Sequence, residues 1–247
     1  MRFHPVEWHD SLPSTNTYLC DLVKGNPSLP SGTIIAARHQ TAGKGRYDRT
    51  WISNRNRDLA FSILVRWRVQ PETVPSISMA AALGVAEAFQ EMGLRPRVKW
   101  PNDVLLDGKK VCGILSELVS GTGGNRPTIV VGIGVNVNMN RQEAARIDQP
   151  ATSLSIQTGK QMDVRTVLDA LVEPLPGWIE RWEAGGFEGI RKDWKRRVVG
   201  LDEPVTIGEG DHQKSGTLTG FGPDGELILT DNDGKKHTIV AGDLTIG

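Results

Sequence analysis

Residues Arg97 to Val119 read RVKWPNDVLLDGKKVCGILSELV. Three β-type runs, around Arg97–Trp100, Val104–Leu106 and Val111–Val119, are separated by Pro101-Asn102-Asp103 and by Asp107-Gly108. Asp-Gly between such runs is a hairpin signal, since a tight primed turn needs positive φ at both central residues. Strands joined by short turns are therefore expected here, rather than strands separated by crossover helices.

The pattern extends outward. Thr33–Arg38 (TIIAAR), Leu59–Val65 (LAFSILV) and Thr128–Asn136 (TIVVGIGVN) also read as strands, and Gly121-Thr122-Gly123-Gly124 reads as a turn. Helical patterns lie at a distance along the chain. Ser14-Thr15-Asn16-Thr17 opens an amphipathic segment closed by Gly25, and Ser76 precedes the apolar periodic run ISMAAALGVAEAFQEM, closed by Gly93. Val164–Glu183 is helical in pattern but contains Pro174 and Pro176, which predicts a kink or two shorter helices. Phe187–Arg197 gives one further helix. This distribution favours an α+β fold with a mixed or antiparallel sheet and helices packed on it. From about Leu201 the runs shorten: Pro204–Gly208, Lys214–Phe221, Glu226–Thr230 and His237–Val240, with turns at Gly222-Pro223-Asp224-Gly225 and Asn232-Asp233-Gly234. A division into a large unit, 1–198, and a small β-module, 199–247, is expected.

The 247 residues, 38% of them hydrophobic, suffice for a substantial core. Lys and Arg total 29 and so do Asp and Glu, so there is no global basic surface for nucleic acid or anionic lipid. The N-terminal MRFHPVEWHD has no apolar segment of the signal-peptide kind. The longest apolar stretch, Ile129–Val135, is far below the ~18 residues of a membrane span. Cys20 and Cys112 lack metal-ligand spacing, and packing residues with reduced thiols in a cytoplasmic protein is the economical reading. No residue is assigned as a metal ligand.

Against that neutral background, Arg38 to Arg57 holds six cations (Arg38, Lys44, Arg46, Arg49, Arg55, Arg57) and one acid, Asp48. Its centre is GKGRYDRTW, Gly43–Trp51. Glycines let backbone N–H groups approach an anion, and Lys or Arg adds charge-assisted bonds. Taken alone, a solvated charged loop fits this stretch as well as an anion-binding one. A P-loop is excluded by spelling, since Arg38 and Gly45 stand where that motif needs Gly and Ser or Thr. Trp51 offers a ring face for a large ligand. KWPND and KKVCGILSE place Asn102 and Asp103 opposite Lys110 across a hairpin, and Asn136 ends the apolar strand GIGVN.

Ser14-Thr15-Asn16, Gln40 with GKGRYDRTW, KWPND, KKVCGILSE and GIGVNVN, in that order and spacing, resemble the biotin protein ligase family. The resemblance implies a class II synthetase-like catalytic domain with a small SH3-like β-barrel at its C-terminus. It also implies a two-step reaction. Biotin and ATP, with Mg²⁺, form biotinyl-5′-AMP, and biotin then passes to a lysine of a biotin carboxyl carrier protein. By the same resemblance, Ser14, Thr15, Asn16 and Gln40 contact the biotin ring. Gly43, Lys44, Gly45, Arg46 and Arg49 form a mobile lid over biotin and the adenylate phosphate. Trp51 packs beside adenine, and at Gly113 ligand and backbone approach closely. Asn102, Asp103 and Asn136 lie near ATP, its metal or the attacking lysine. Arg46, Lys110 and Asp103 are the expected catalytic groups. The sequence departs from the family's usual loop at Lys44, where lysine loses the bidentate fork of arginine, and at Tyr47-Asp48. With the first motif beginning at Ser14, the short form without a DNA-binding helical domain is expected, hence no operator binding. A homodimer through a sheet edge is implied by the family alone. A lipoate–protein ligase-like acyltransferase and a non-enzymatic nucleotide-binding module are the rival readings.

Overall fold

The computed structural model describes residues 1–66, 75–120, 127–208 and 213–246. The expected turn at Gly121–Gly124 lies outside these residues. Seven strands, β1 (Glu7–His9), β2 (Ile34–Ala37), β3 (Leu59–Arg66), β4 (Pro96–Lys99), β5 (Asp103–Leu106), β6 (Lys109–Val119) and β7 (Thr128–Val135), form one sheet in the order β1-β2-β3-β7-β6-β5-β4. β1 and β2 run parallel and every other neighbouring pair is antiparallel, so the sheet is mixed. The Asp107-Gly108 hairpin forms as expected, with φ +48° and +72° at its two central residues. β1, three residues long, is too short for a periodicity signal.

The two faces of the sheet are covered unequally. Helix α1 (Thr15–Gly25) buries Leu19 and Val23 against Ile35, Ala37, Leu64 and Val130 on one face. On the other face, α2 (Ile77–Glu91) sits above Ala36, Phe61, Ile63, Val131 and Ile133. A second helical layer covers α2: α5 (Val164–Val172), α6 (Leu175–Gly185) and α7 (Arg191–Arg197). Being sandwiched makes α2 apolar all round rather than on one stripe. Its alanines let neighbours come close, and at Gly84 a Cβ would lie 2.9 Å from Leu175 Cδ2. Ser76 stands at the N-cap of α2, but its hydroxyl instead accepts from Trp182 Nε1 at 2.8 Å.

The two prolines split the long helical pattern as expected: α5 ends at Val172, Pro174 is the N-cap of α6 and Pro176 lies in its first turn. The segment from Phe187 is not one helix, because a 3-10 turn over Gly186–Gly189 precedes α7. Two short helices escape the sequence reading: α3 (Arg141–Ala144), held by a capping box between Asn140 and Glu143, and α4 (Leu154–Thr158).

Strands β8 (Pro204–Ile207), β9 (Lys214–Phe221), β10 (Leu227–Thr230), β11 (Lys236–Ile239) and β12 (Leu244–Ile246) form a second sheet, ordered β11-β10-β9-β8-β12. Among the described residues no ladder joins β11 to β12, so the sheet is open where a closed barrel was expected. Its Val205, Ile207, Leu218, Phe221 and Leu227 belong to the same apolar cluster as the main core. Trp100 Nε1 donates to Gly225 O at 2.9 Å across the junction. No helix among the described residues is long and apolar enough to cross a membrane.

Candidate functional site

The face of the large sheet that α1 leaves partly uncovered is lined by small residues, and the strand register says which. Ala37, Ala60, Gly134, Gly113 and Asp103 are successive cross-strand partners on β2, β3, β7, β6 and β5. One row on, Ile35, Ser62, Gly132 and Leu115 are partners. The result is a trough above the sheet, with α1 at one end and the β5–β6 hairpin at the other.

At the α1 end the expected polar residues meet. Ser14 caps the helix, accepting from Thr17 N. Gln40 Oε1 accepts from Thr15 N at 2.8 Å and from Thr15 Oγ1 at 3.2 Å. Ser62 Oγ donates to Asn16 Oδ1 at 2.6 Å and lies 2.7 Å from Thr15 Oγ1. Asn16 Nδ2 donates to Leu115 O at 3.1 Å and Glu117 Oε2 at 2.7 Å. Ser14, Thr15, Asn16, Gln40 and Ser62 are buried, and their mutual hydrogen bonds rigidify the network. Gly132 makes room for it, since a Cβ there would stand 2.1 Å from Asn16 Oδ1.

At the other end a β-bulge decides the chemistry. The β5–β6 register shifts between Val104 and Leu105, so Val104 faces Cys112 and Leu105 faces Lys110, leaving Val111 extra. Val111 and Cys112 both enter the core. Without the extra residue, alternation would send Lys110 to the face away from Gly113. With it, Lys110 Nζ reaches Asp103 Oδ1 at 2.7 Å and lies 5.7 Å from the Trp51 ring centroid. Asn102 is fastened beside them, its Nδ2 donating to Ile114 O at 2.6 Å.

The Gly43–Trp51 stretch is a hairpin. Lys44 bridges to Thr50, Gly45 N donates to Arg49 O at 2.7 Å, and Tyr47 and Asp48 have φ +55° and +57° at the turn. Left-handed backbone at Asp48 is tolerated. At Tyr47 it costs about 1–2 kcal/mol, offset by Arg46, whose guanidinium stacks 4.7 Å from the Tyr47 ring centroid and donates to its hydroxyl at 2.8 Å. Gly43 is required by packing, because a Cβ would lie 2.4 Å from Trp51 O.

Most of this segment's charge is neutralised by acids remote in sequence. Arg38 pairs with Asp10 at 3.3 Å and Arg57 with Glu143 at 2.7 Å, while Arg46 and Arg49 both reach Asp243. The close approach expected at Gly113 is made by the protein itself. A Cβ there would meet Trp51 Cζ3 at 2.9 Å and Lys110 Cε at 3.0 Å, and one on Gly134 would meet Trp51 Cε2 at 2.4 Å. Trp51 thus lies flat on two glycines, its buried indole N–H without a protein acceptor.

Asn136 stands apart from the trough's polar groups: its Nδ2 donates to Thr152 O at 3.0 Å and its N–H to Val111 O at 2.9 Å, behind the bulge. In GIGVN it is the two glycines, not the asparagine, that line the trough. Ser62 and Asp243 are absent from the sequence reading, and Glu117, which ends the motif KKVCGILSE, is given no role there. Ser62 could have been found as the one polar residue on the small-residue face of LAFSILV. Burial holds the Cys112 and Cys20 thiols up, Cys20 at about 11, so neither is a thiolate nucleophile. Among the described residues no group of three or more His, Cys, Asp or Glu could cage a metal.

Fold and site together define an α+β protein whose large sheet carries a glycine-rich face, with a hydrogen-bonded polar network at one end, the Lys110–Asp103 pair at the other and the Gly43–Trp51 hairpin alongside. Residues 8–136 match the sequence model of the Biotin/lipoate A/B protein ligase family. The chain is 30% identical over 242 residues to the Bifunctional ligase/repressor BirA of Bacillus subtilis (strain 168), covering 97% of this chain and 73% of that protein. It is 32% identical over 234 residues to the Biotin--[acetyl-CoA-carboxylase] ligase of Paracoccus denitrificans, covering 91% and 95%. Its fold superposes on the biotin protein ligase from Aquifex aeolicus solved with biotin and ATP, with a TM-score of 0.80, 28% identity and 99% of each chain covered. The chain belongs to the biotin/lipoate A/B protein ligase family.

Proposed function

We propose that the protein is an ATP-dependent biotin–protein ligase. The observation that carries this is the trough itself, with a fixed amide and hydroxyl network at one end and the Lys110–Asp103 pair at the other. Such an arrangement suits an acid with a polar ring, an apolar chain and a carboxylate. The similarity to named biotin ligases supports biotin over lipoate as that acid.

In this reading Thr15, Asn16, Gln40 and Ser14 hold the ureido ring. The biotin carboxylate attacks the α-phosphorus of ATP in line, and pyrophosphate leaves. An acceptor lysine amine then attacks the acyl carbon of biotinyl-5′-AMP, loses a proton and expels AMP. Neither displacement needs a nucleophilic side chain; both need positioning and charge neutralisation. Lys110 and Arg46 supply cations at the phosphate, with Asp103 orienting Lys110, while Gly43, Lys44, Gly45 and Arg49 frame the lid and Trp51 flanks adenine. Asn102 and Asn136 are second-rank contacts, Asn136 through the Thr152 turn. Mg²⁺ fits as a cation carried in on the nucleotide's phosphates, since Asp103 and Asn102 offer oxygen ligands but the described residues hold no multi-carboxylate cage. The second sheet is read as the family's SH3-like module, with the boundary at 198/199. A carrier-domain lysine as acceptor, a cytoplasmic location and a sheet-edge homodimer complete the proposal.

The test is biotin-dependent exchange of labelled pyrophosphate into ATP with Mg²⁺. Exchange with biotin but not lipoate is the expected result. Its absence in folded protein, or exchange with lipoate alone, would overturn the assignment.

A further inference from the structure

The hairpin's two arginines end on one carboxylate of the other sheet. Arg49 Nη2 lies 2.5 Å from Asp243 Oδ2, and Arg46 Nη1 lies 3.7 Å from Asp243 Oδ1 and donates to Gly242 O at 3.3 Å. Asp243 is well placed to hold them. Its carbonyl accepts from Gly208 N at 3.2 Å, and the next residue, Leu244, is buried and paired with Ile207 at the start of β12. A Cβ on the preceding Gly242 would stand 2.6 Å from Ile207 Cγ2, so the turn is packed tightly on β8. The carboxylate therefore projects from an anchored edge of the small sheet onto a hairpin nearly two hundred residues earlier.

Arg46 faces two ways, since its Nη1 also reaches Asn102 Oδ1 at 3.5 Å, beside the Lys110–Asp103 pair. A phosphate oxygen and a carboxylate oxygen compete for the same guanidinium N–H groups. We infer that Asp243 is a positioning residue acting as a displaceable counter-ion: it holds Arg46 and Arg49 on the C-terminal sheet until the polyphosphate of a nucleotide takes its place. The inference rests on the nucleotide-binding reading above. Nucleotide binding then releases the hairpin from β12 and frees it to close over the trough. Because only the released fraction is competent, the latch weakens apparent nucleotide affinity by that fraction.

The test compares wild-type protein with Asp243→Asn, which keeps the shape and removes the charge. Binding of ATP, inorganic pyrophosphate and biotin is measured by calorimetry on the full chain. The expected result is about three- to tenfold tighter binding of ATP and pyrophosphate, with biotin affinity unchanged. Asp243→Ser serves as a second variant, and thermal melts confirm that each is folded. Unchanged or weaker ATP affinity in both variants, with wild-type protein binding ATP normally, would overturn the latch and leave the ligase reading standing. A wild-type protein that binds neither ATP nor pyrophosphate would sink both.

Discussion

Gly132→Ala sets a methyl directly against the polar network at the start of α1. The added methyl would stand 2.1 Å from Asn16 Oδ1 and 2.7 Å from Asn16 Cγ, so Asn16 must leave. It cannot simply swing away, because it belongs to the first turn of α1 and is 4% exposed. Its departure breaks the bonds to Ser62 Oγ, Leu115 O and Glu117 Oε2. Two neutral hydrogen bonds at about 1 kcal/mol each and one to a carboxylate at about 1.5–3 kcal/mol set an upper bound near ~5 kcal/mol. A shift of α1 recovers part of this, so the expected loss of stability is roughly 2–4 kcal/mol. The assay is urea unfolding of Gly132→Ala, Asn16→Ala and the double variant. Because the methyl fits the space that Asn16 vacates, the double variant should cost little more than Asn16→Ala alone, giving a coupling of roughly 2–4 kcal/mol, nearly the whole cost of Gly132→Ala. Biotin binding should be lost in all three. Additive costs, or a Gly132→Ala protein as stable as wild type, would refute the claim that this glycine exists to seat Asn16.

Two further outcomes are expected. Lys110→Ala should abolish pyrophosphate exchange and also destabilise the fold, by about 3–5 kcal/mol, because the buried Asp103 carboxylate loses its 2.7 Å partner; adding Asp103→Asn should restore unfolding stability but not exchange, and recovered exchange would remove Lys110 from the chemistry. At Asp58, burial pushes the carboxyl above its ordinary 3.8, although it accepts from Asn54 and Val137. The folded chain therefore binds that proton more tightly than the unfolded chain. Asp58's contribution to stability is complete below 3.8 and declines as pH rises through the raised folded value. Unfolding free energies of wild type and Asp58→Asn across that interval should diverge in slope, with wild type losing more; parallel curves would contradict the reading.

Much of the large unit was legible in sequence because its signals are local. The Asp107-Gly108 hairpin, the helix opened by Ser14 and the break at Pro174 and Pro176 each follow from neighbouring residues. The motifs around Thr15, Gln40, Arg46, Asp103 and Lys110 carry the family resemblance, and with it the expected chemistry. β1 and α4 were not legible, being too short for periodicity. Closure of the small sheet was not either, since the ends of a sheet are joined by pairing that no single strand records.

By itself, then, the sequence determined the order of the longer elements, the α+β class and the motifs that carry the family resemblance. Only the tertiary structure decided how those residues face. The bulge at Val111 puts Lys110 on the face of Gly113, and a count of alternating residues would place it on the other. The cationic excess between Arg38 and Arg57 is real along the chain, yet Asp10, Glu143 and Asp243 arrive from three distant places to meet it. Charge is a property of the sequence, but a field depends on what folds alongside it. The arginines of the hairpin Gly43–Trp51 therefore already meet a carboxylate of their own chain.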